Sequence, residues 1–284
     1  MKKILSSYRL PFAASIFASA VLLSNPLQAD RIISTDAGST DILLALDEGN
    51  DLVGVDVTSV VPAELSVAKL GYHRMLATEG ILSLNPGLII GSEHMGPPET
   101  IAAIEKSQIE LLQLPAATNA DSLKLNIKKI STAVDKQQQA QPLLAHIDKQ
   151  MLSINQQQLA ADTKVAFLLQ MDGRSLRLAG ENTTGNDIIR LLGGENLSQL
   201  PGYQSISAEA LISLEPEVII IASRDMSKPP VEALLKDNPL LVHTPAGQQQ
   251  KIIAVDGRNL IAGISLTAID SLADIADTLA QAQR

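Results

Sequence analysis

Short apolar runs, rich in Ile, Leu and Val, alternate along this chain with stretches whose apolar positions recur every three or four residues. Residues 31–34 form the first run, and 41–46 begins a helical pattern. Further short runs occupy 52–57, 88–91 and 109–114. After Lys164 the pattern restarts with runs at 165–170, 187–192, 218–222 and 251–255. Residues 265–282 are apolar at helical spacing and predict a closing helix. Strand-length runs alternating with helical stretches predict α/β lobes with mainly parallel sheets.

One stretch breaks the alternation. Between 122 and 162 there is no strand signal and no glycine, only Gln, Lys, Leu and Ala around an apolar series that includes Ile127, Ile130, Ile147 and Ile154. A flexible linker is rich in Gly and Ser, so this composition predicts a stiff helical spacer. Pro142 is expected to divide it into two helices, because proline sits best in a first turn. The resulting division is an N-terminal lobe over 30–121, a spacer over 122–162 and a C-terminal lobe over 163–284.

The two halves echo each other. Ala77-Thr-Glu-Gly-Ile-Leu-Ser-Leu-Asn-Pro86 and the strand-like residues after it match Ala208-Glu-Ala-Leu-Ile-Ser-Leu-Glu-Pro216 and its sequel. Glu79 and Glu209 are 130 positions apart (79 to 209), as are Pro86 and Pro216 (86 to 216). Thr40-Asp41-Ile-Leu-Leu likewise resembles Asn186-Asp187-Ile-Ile-Arg, a helix start in each half. Repeats in matching order point to a duplicated layout.

The first 29 residues change the picture of where such a protein works. Lys2, Lys3 and Arg9 precede an apolar stretch over 11–23, and Leu27-Gln-Ala29 supplies a small-residue exit. That arrangement reads as a secretory signal peptide, and its apolar run is shorter than the ~20 residues a spanning helix needs. The chain has no cysteine, which excludes lipid attachment at a cysteine, disulfides, thiolate metal sites and cysteine nucleophiles. A soluble periplasmic protein is therefore expected. The signal carries three of the 22 basic residues and no acid, leaving 19 against 31 acidic residues. A surface near −12 repels nucleic acid and anionic lipid, so neither is an expected partner.

A short E-x-[LI]-[LI]-x-L-x-P helix followed by a buried strand, once per half, resembles class III periplasmic binding proteins. These are two Rossmann-like α/β lobes joined by a long rigid helix, serving ABC importers of haem, cobalamin and ferric siderophores. Gly71-Tyr-His-Arg-Met-Leu-Ala-Thr-Glu-Gly-Ile-Leu-Ser-Leu84 is sharper, and is similar to the signature of the haem-binding members. Ser92-Glu-His-Met-Gly-Pro-Pro98 and Ala179-Gly-Glu-Asn-Thr-Thr-Gly-Asn-Asp187 resemble segments of the same subgroup. The likeness runs over nearly the whole chain after the signal.

The resemblance implies a non-enzymatic carrier with haem as cargo, an inner-membrane ABC importer as partner, an outer-membrane haem receptor system upstream, and a monomeric state. It implies Tyr72 as the axial ligand of the haem iron. Ferric iron is hard, a phenolate oxygen is a hard anionic donor, and tyrosine is an established haem ligand. Free phenol ionises near pH ~10, and the metal with a nearby guanidinium lowers that threshold. Arg74 stands two residues on; in an extended loop it shares a side with Tyr72 while His73 points away. Arg74 can assist the phenolate or pair with a propionate. His94 follows the third strand, where α/β lobes place ligand contacts, and is a candidate second contact; an exposed loop histidine is the alternative. Met95, with Met75, Met171 and Met226, is a candidate for the apolar wall, with ordinary core filling as its alternative. Arg224 and Arg177 are candidate propionate partners. Tyr203 is a further residue able to reach the cleft.

Some haem-binding relatives carry a histidine shortly after the strand that follows the spacer. Leu168-Leu-Gln-Met171-Asp-Gly has none, which implies five-coordinate iron and a single haem. Glu79 and Glu209 are implied to dock the importer, one per lobe; each also suits a first helical turn, after Thr78 and Ser207 respectively.

Two rivals stand beside this reading. The same class could carry cobalamin or a ferric siderophore, but those pockets lean on aromatic side chains. After the signal this chain has only Tyr72, Phe167 and Tyr203. A haem-binding protein without a transporter would not need the paired glutamates. No H-E-x-x-H, G-x-S-x-G or P-loop motif supports an enzyme.

Overall fold

The computed structural model describes residues 31–170, 176–224, 226, 229–261 and 263–282. The signal peptide expected over 1–29 and the candidate Met171 lie outside them. The N-terminal lobe contains β1 (Ile32–Ser34), α1 (Ala37–Ala45), β2 (Leu52–Val55), β3 (Ala68–Lys69), α2 (Thr78–Ser83), β4 (Leu88–Ser92), α3 (Pro98–Lys106) and β5 (Glu110–Leu114). Its five strands pair in the order β3-β2-β1-β4-β5, every pairing parallel. All of β4 is buried, as a central strand covered on both faces must be, which is why 88–91 reads as an unbroken apolar run.

Two helices follow, α4 (Ala120–Ala133) and α5 (Gln137–Gln156). The break between them falls at 134–136, where Asp135 takes φ 57°, rather than at Pro142. Pro142 lies inside α5, where it contributes no amide to the helix hydrogen-bond ladder. The pair folds back as a hairpin, with Lys124 on α4 meeting Asp148 on α5 at 2.8 Å. Of these two helices it is α5 that crosses between lobes, and its 20 residues span about 30 Å.

The C-terminal lobe runs β6 (Lys164–Gln170), β7 (Leu176–Ala179), α6 (Thr184–Leu191), β8 (Glu195–Asn196), β9 (Tyr203–Ile206), α7 (Ala208–Ser213), β10 (Val218–Ser223), α8 (Pro230–Asp237), α9 (Pro245–Gln248), β11 (Ile252–Asp256) and α10 (Leu266–Gln281). Its sheet has the order β11-β10-β6-β7-β9, with β8 also against β6. The pairings of β7 with β6 and β9 are antiparallel and the rest parallel. The helix start read at Asn186-Asp187 is found there, and the run at 187–192 makes up most of α6. Ile188, Ile189 and Leu192 are its buried positions, a helical spacing, and Thr183 caps it by accepting from the Asn186 amide.

The lobes share two bridging helices. Ile147 of α5 sits in the N-lobe core and Ile154 in the C-lobe core. The closing helix α10 does the same, with Ile269 in the first core and Leu272 to Leu279 in the second. Along their contact His146 and Gln150 both reach Asp270, and Gln157 reaches Asp277. A further tie joins α1 to α10, where Asp41 accepts from the Thr267 amide and hydroxyl at 2.9 and 2.8 Å.

Candidate functional site

A cleft of about 730 Å³ opens between the lobes, at the carboxyl ends of the parallel strands. Its volume falls within the ~300–1,000 Å³ typical of small-molecule sites, and its place follows the rule for open α/β sheets. Tyr72 and Arg74 line it from the loop after β3, and Glu93 and His94 from the loop after β4. Opposite them stand Asp187 and Arg190 on α6, Tyr203 on β9 and Arg224 after β10. Phe167, Leu169, Ala222, Leu260 and Ile261 supply apolar surface.

The Tyr72 loop is shaped by its backbone. Gly71 has φ 89°, which suits glycine, and its carbonyl accepts from the Val57 amide at 2.9 Å. The chain then turns rather than running extended: the Met75 amide donates to the Tyr72 carbonyl at 2.8 Å. The Gly96 amide donates to the His73 carbonyl at 2.9 Å, tying this loop to the one after β4. Tyr72 is left half-buried and Arg74 exposed, both on the cleft, while His73 turns into the lobe with 2 % exposure. Its ring nevertheless stays against Tyr72, with centroids 4.2 Å apart, and meets the cleft edge.

Behind His73 lies a buried polar network. Burial pushes the Asp56 carboxyl up, but the facing His73 and hydrogen bonds from Ser59 and Thr58 outweigh it and hold it below the usual carboxylate range. Burial keeps Asp36, the N-cap of α1, above that range despite hydrogen bonds from Ser39, and Asp56 pushes the same way. His94 is half-buried, and burial with the nearby Arg74 charge lowers its pKa, so it is neutral at pH 7. Across the cleft, burial raises the Tyr203 pKa, and its phenol stays protonated. Burial likewise raises Asp187, against the pull of Arg190.

Of the residues singled out in the sequence, Tyr72, Arg74, His94 and Arg224 converge on the cleft, as does Tyr203. Met95 does not. It is 7 % exposed in a core with Ile33, Leu76, Ile81, Ile89 and Ile104, packed so closely that a Cβ on Gly91 would come within 2.7 Å of its sulfur. Met75 and Met226 are exposed but are not among the residues lining the cleft. Arg177 instead donates to the Tyr203 carbonyl at 2.7 Å. Arg190 was not singled out, because it belongs to a helix rather than a motif. The signal was its place three residues after Asp187, one turn along the same helix.

Glu79 and Glu209 are the second residues of α2 and α7, two exposed six-residue helices. Each helix ends at a residue with positive φ, Asn85 at 45° and Glu215 at 53°, then proline, then a buried strand. Ser207 caps α7 through the Ala210 amide at 3.2 Å. Thr78 is not a cap: Ala77 holds that position in α2, and Thr78 donates to Thr100. The Glu209 carboxyl is held low by its own backbone amide and by Ser207.

Two α/β lobes, a cleft at the carboxyl ends of both sheets and a helix spanning them define a two-lobed binding protein. The chain belongs to the periplasmic binding protein family, whose model matches residues 32–258. Members of that family are binding proteins that work with ABC transporter permeases. Among solved structures, the periplasmic haem-binding protein HutB of Vibrio cholerae is 32 % identical, with a TM-score of 0.78 over 88 % of this chain and 99 % of that one. A periplasmic haem-binding protein from Pseudomonas aeruginosa is 30 % identical, with a TM-score of 0.76 over 89 % of this chain and 93 % of that one. A vitamin B12-binding protein of Vibrio cholerae is 27 % identical over 74 % of this chain and 77 % of its own length. No helix among the described residues is long and apolar enough to cross a membrane.

Proposed function

We propose that this protein captures ferric haem in the inter-lobe cleft and delivers it to an inner-membrane ABC importer. The observation that carries the reading is Tyr72: a half-buried phenol on the cleft, beside the Arg74 guanidinium, in a site large enough for a macrocycle. Iron approaching that oxygen displaces its proton, and the neighbouring cation favours the phenolate. Tyr203 is the poorer ligand, since burial disfavours its anion. Arg224 and Arg190, both exposed on the far wall, suit two propionates. His94 is neutral and on the cleft, so it can face the macrocycle without adding charge. With no second-lobe histidine among the described lining residues, the iron is five-coordinate and one haem is bound.

Glu79 and Glu209 dock the two importer subunits, their matched helices offering one carboxylate per lobe. An outer-membrane haem receptor system supplies the cargo, and the carrier acts as a monomer in the periplasm after loss of residues 1–29.

Cobalamin is the second reading, favoured by the B12-binding relative. Against it, among the described residues Tyr72, Tyr203 and Phe167 are the only aromatic rings on the cleft besides its two histidines. Titration with hemin and with cobalamin, followed by absorbance, separates the two. Hemin is expected to bind and give a ferric–phenolate spectrum that Tyr72→Phe removes. Tight cobalamin binding with no hemin binding would overturn the proposal.

A further inference from the structure

We infer that the buried pair Asp56–His73 positions the Tyr72 ring, acting from inside the N-terminal lobe. This inference rests on the reading of Tyr72 as the iron ligand. Asp56 directly follows β2 and is fully buried. Its Oδ1 accepts from the Ser59 amide at 3.0 Å and the Ser59 hydroxyl at 2.6 Å, and its Oδ2 from the Thr58 hydroxyl at 2.5 Å. Ser59 in turn shares a hydrogen bond with Thr40, which donates to Ser34 at the end of β1. The carboxylate is thus anchored to β1 and α1.

That anchored oxygen faces one side chain more. His73 Nδ1 lies 3.7 Å from Asp56 Oδ2, and it is a buried nitrogen with no hydrogen bond of its own. A closure of a few tenths of an ångström makes that bond, and a buried polar atom left unpaired is costly enough to favour it. The imidazole is tilted 51° against the Tyr72 ring at 4.2 Å. The backbones of both residues are already pinned, through the bonds from Met75 and Gly96. What remains free is the rotation of the phenol, and the imidazole limits it. Groups behind a metal ligand commonly fix its orientation in this way, and a ligand ordered beforehand loses less freedom when iron binds.

The inference is tested on the full chain with Asp56→Asn, His73→Phe and their combination, beside Tyr72→Phe. His73→Phe keeps a ring against Tyr72 but no donor toward Asp56. The readouts are the rate of haem loss to excess apomyoglobin and the ferric electron paramagnetic resonance spectrum. Each single variant is expected to speed haem loss about tenfold and to broaden the ferric signal. The double variant is expected to be no worse than the worse single, because the two residues act as one unit. Should His73→Phe not fold, His73→Asn takes its place; it retains a donor but no ring, and the same faster loss is expected. Wild-type loss rates and spectra in the singles, or effects that multiply in the double, overturn the inference. If Tyr72→Phe itself keeps the wild-type spectrum, the ligand reading fails instead.

Discussion

Gly263 stands where the chain returns from the C-terminal lobe to the cleft floor, and Gly263→Ala measures how much that crossing matters. Its φ is 107°, a region that L side chains rarely adopt, and such a residue costs on the order of 1–3 kcal/mol. A Cβ there would also stand 2.5 Å from the Ala117 nitrogen and 2.6 Å from its oxygen. Both obstacles are backbone atoms, so no side chain can swing aside; displacing packed structure adds roughly 1–3 kcal/mol. The neighbouring Ile264 amide donates to the Ala117 carbonyl at 2.7 Å, and that bond is stretched when the two segments part. The sum is about 2–6 kcal/mol, a large share of the ~5–15 kcal/mol by which proteins are held folded. Because α5 and α10 enter both cores, the lobes are expected to unfold in one transition. Urea unfolding followed by circular dichroism should show a lower midpoint with an unchanged slope. In a chain of this size the melting temperature should fall by roughly 5–20 °C. A loss under about 0.5 kcal/mol would refute the claim that this crossing is rigid.

Other consequences can be checked separately. Charge reversal by Glu79→Lys or Glu209→Lys should leave haem affinity unchanged and abolish uptake in cells, since both carboxylates are exposed and off the cleft; weakened haem binding would contradict the docking role. Arg190→Ala and Arg224→Ala should each weaken hemin binding about fivefold, near 1 kcal/mol for an exposed charge pair, and should not affect binding of haem dimethyl ester. Asp36→Asn tests the buried network through pH. The folded pKa of Asp36 is raised above 3.8, so the wild type loses stability as pH rises from there through the raised value. The variant lacks that loss, and its stability relative to wild type should rise from about pH 4 toward neutrality in urea titrations. Parallel curves would show that Asp36 does not titrate as described.

Much of the architecture was legible because strand and helix periods differ and each repeats twice. The runs at 88–91 and 218–222 announced central strands, since a strand buried on both faces needs an unbroken apolar run. The run at 187–192 is interrupted by Asp187 and Arg190, and its apolar positions 188, 189 and 192 follow the helical period that α6 adopts behind its Thr183 cap. The cleft residues were less evenly readable. Tyr72 and Arg74 follow from local order, because one short loop carries both. Met95 misled because its burial depends on a distant core, gathered from β1, α2 and α3, that no local spacing reveals. His73 was set aside by an alternation that holds only in extended chain, whereas the Tyr72–Met75 turn keeps its ring beside the phenol. Arg190 reaches the cleft only because α6 packs with its polar side toward the other lobe, a fact of tertiary packing.

A crystal structure of the ferric haem complex tests the central claim most directly. One macrocycle is expected between the lobes, its iron bonded to the Tyr72 phenolate, with Arg224 and Arg190 at the propionates. Iron held by another residue, or a Tyr72 ring turned back into its own lobe, would contradict it.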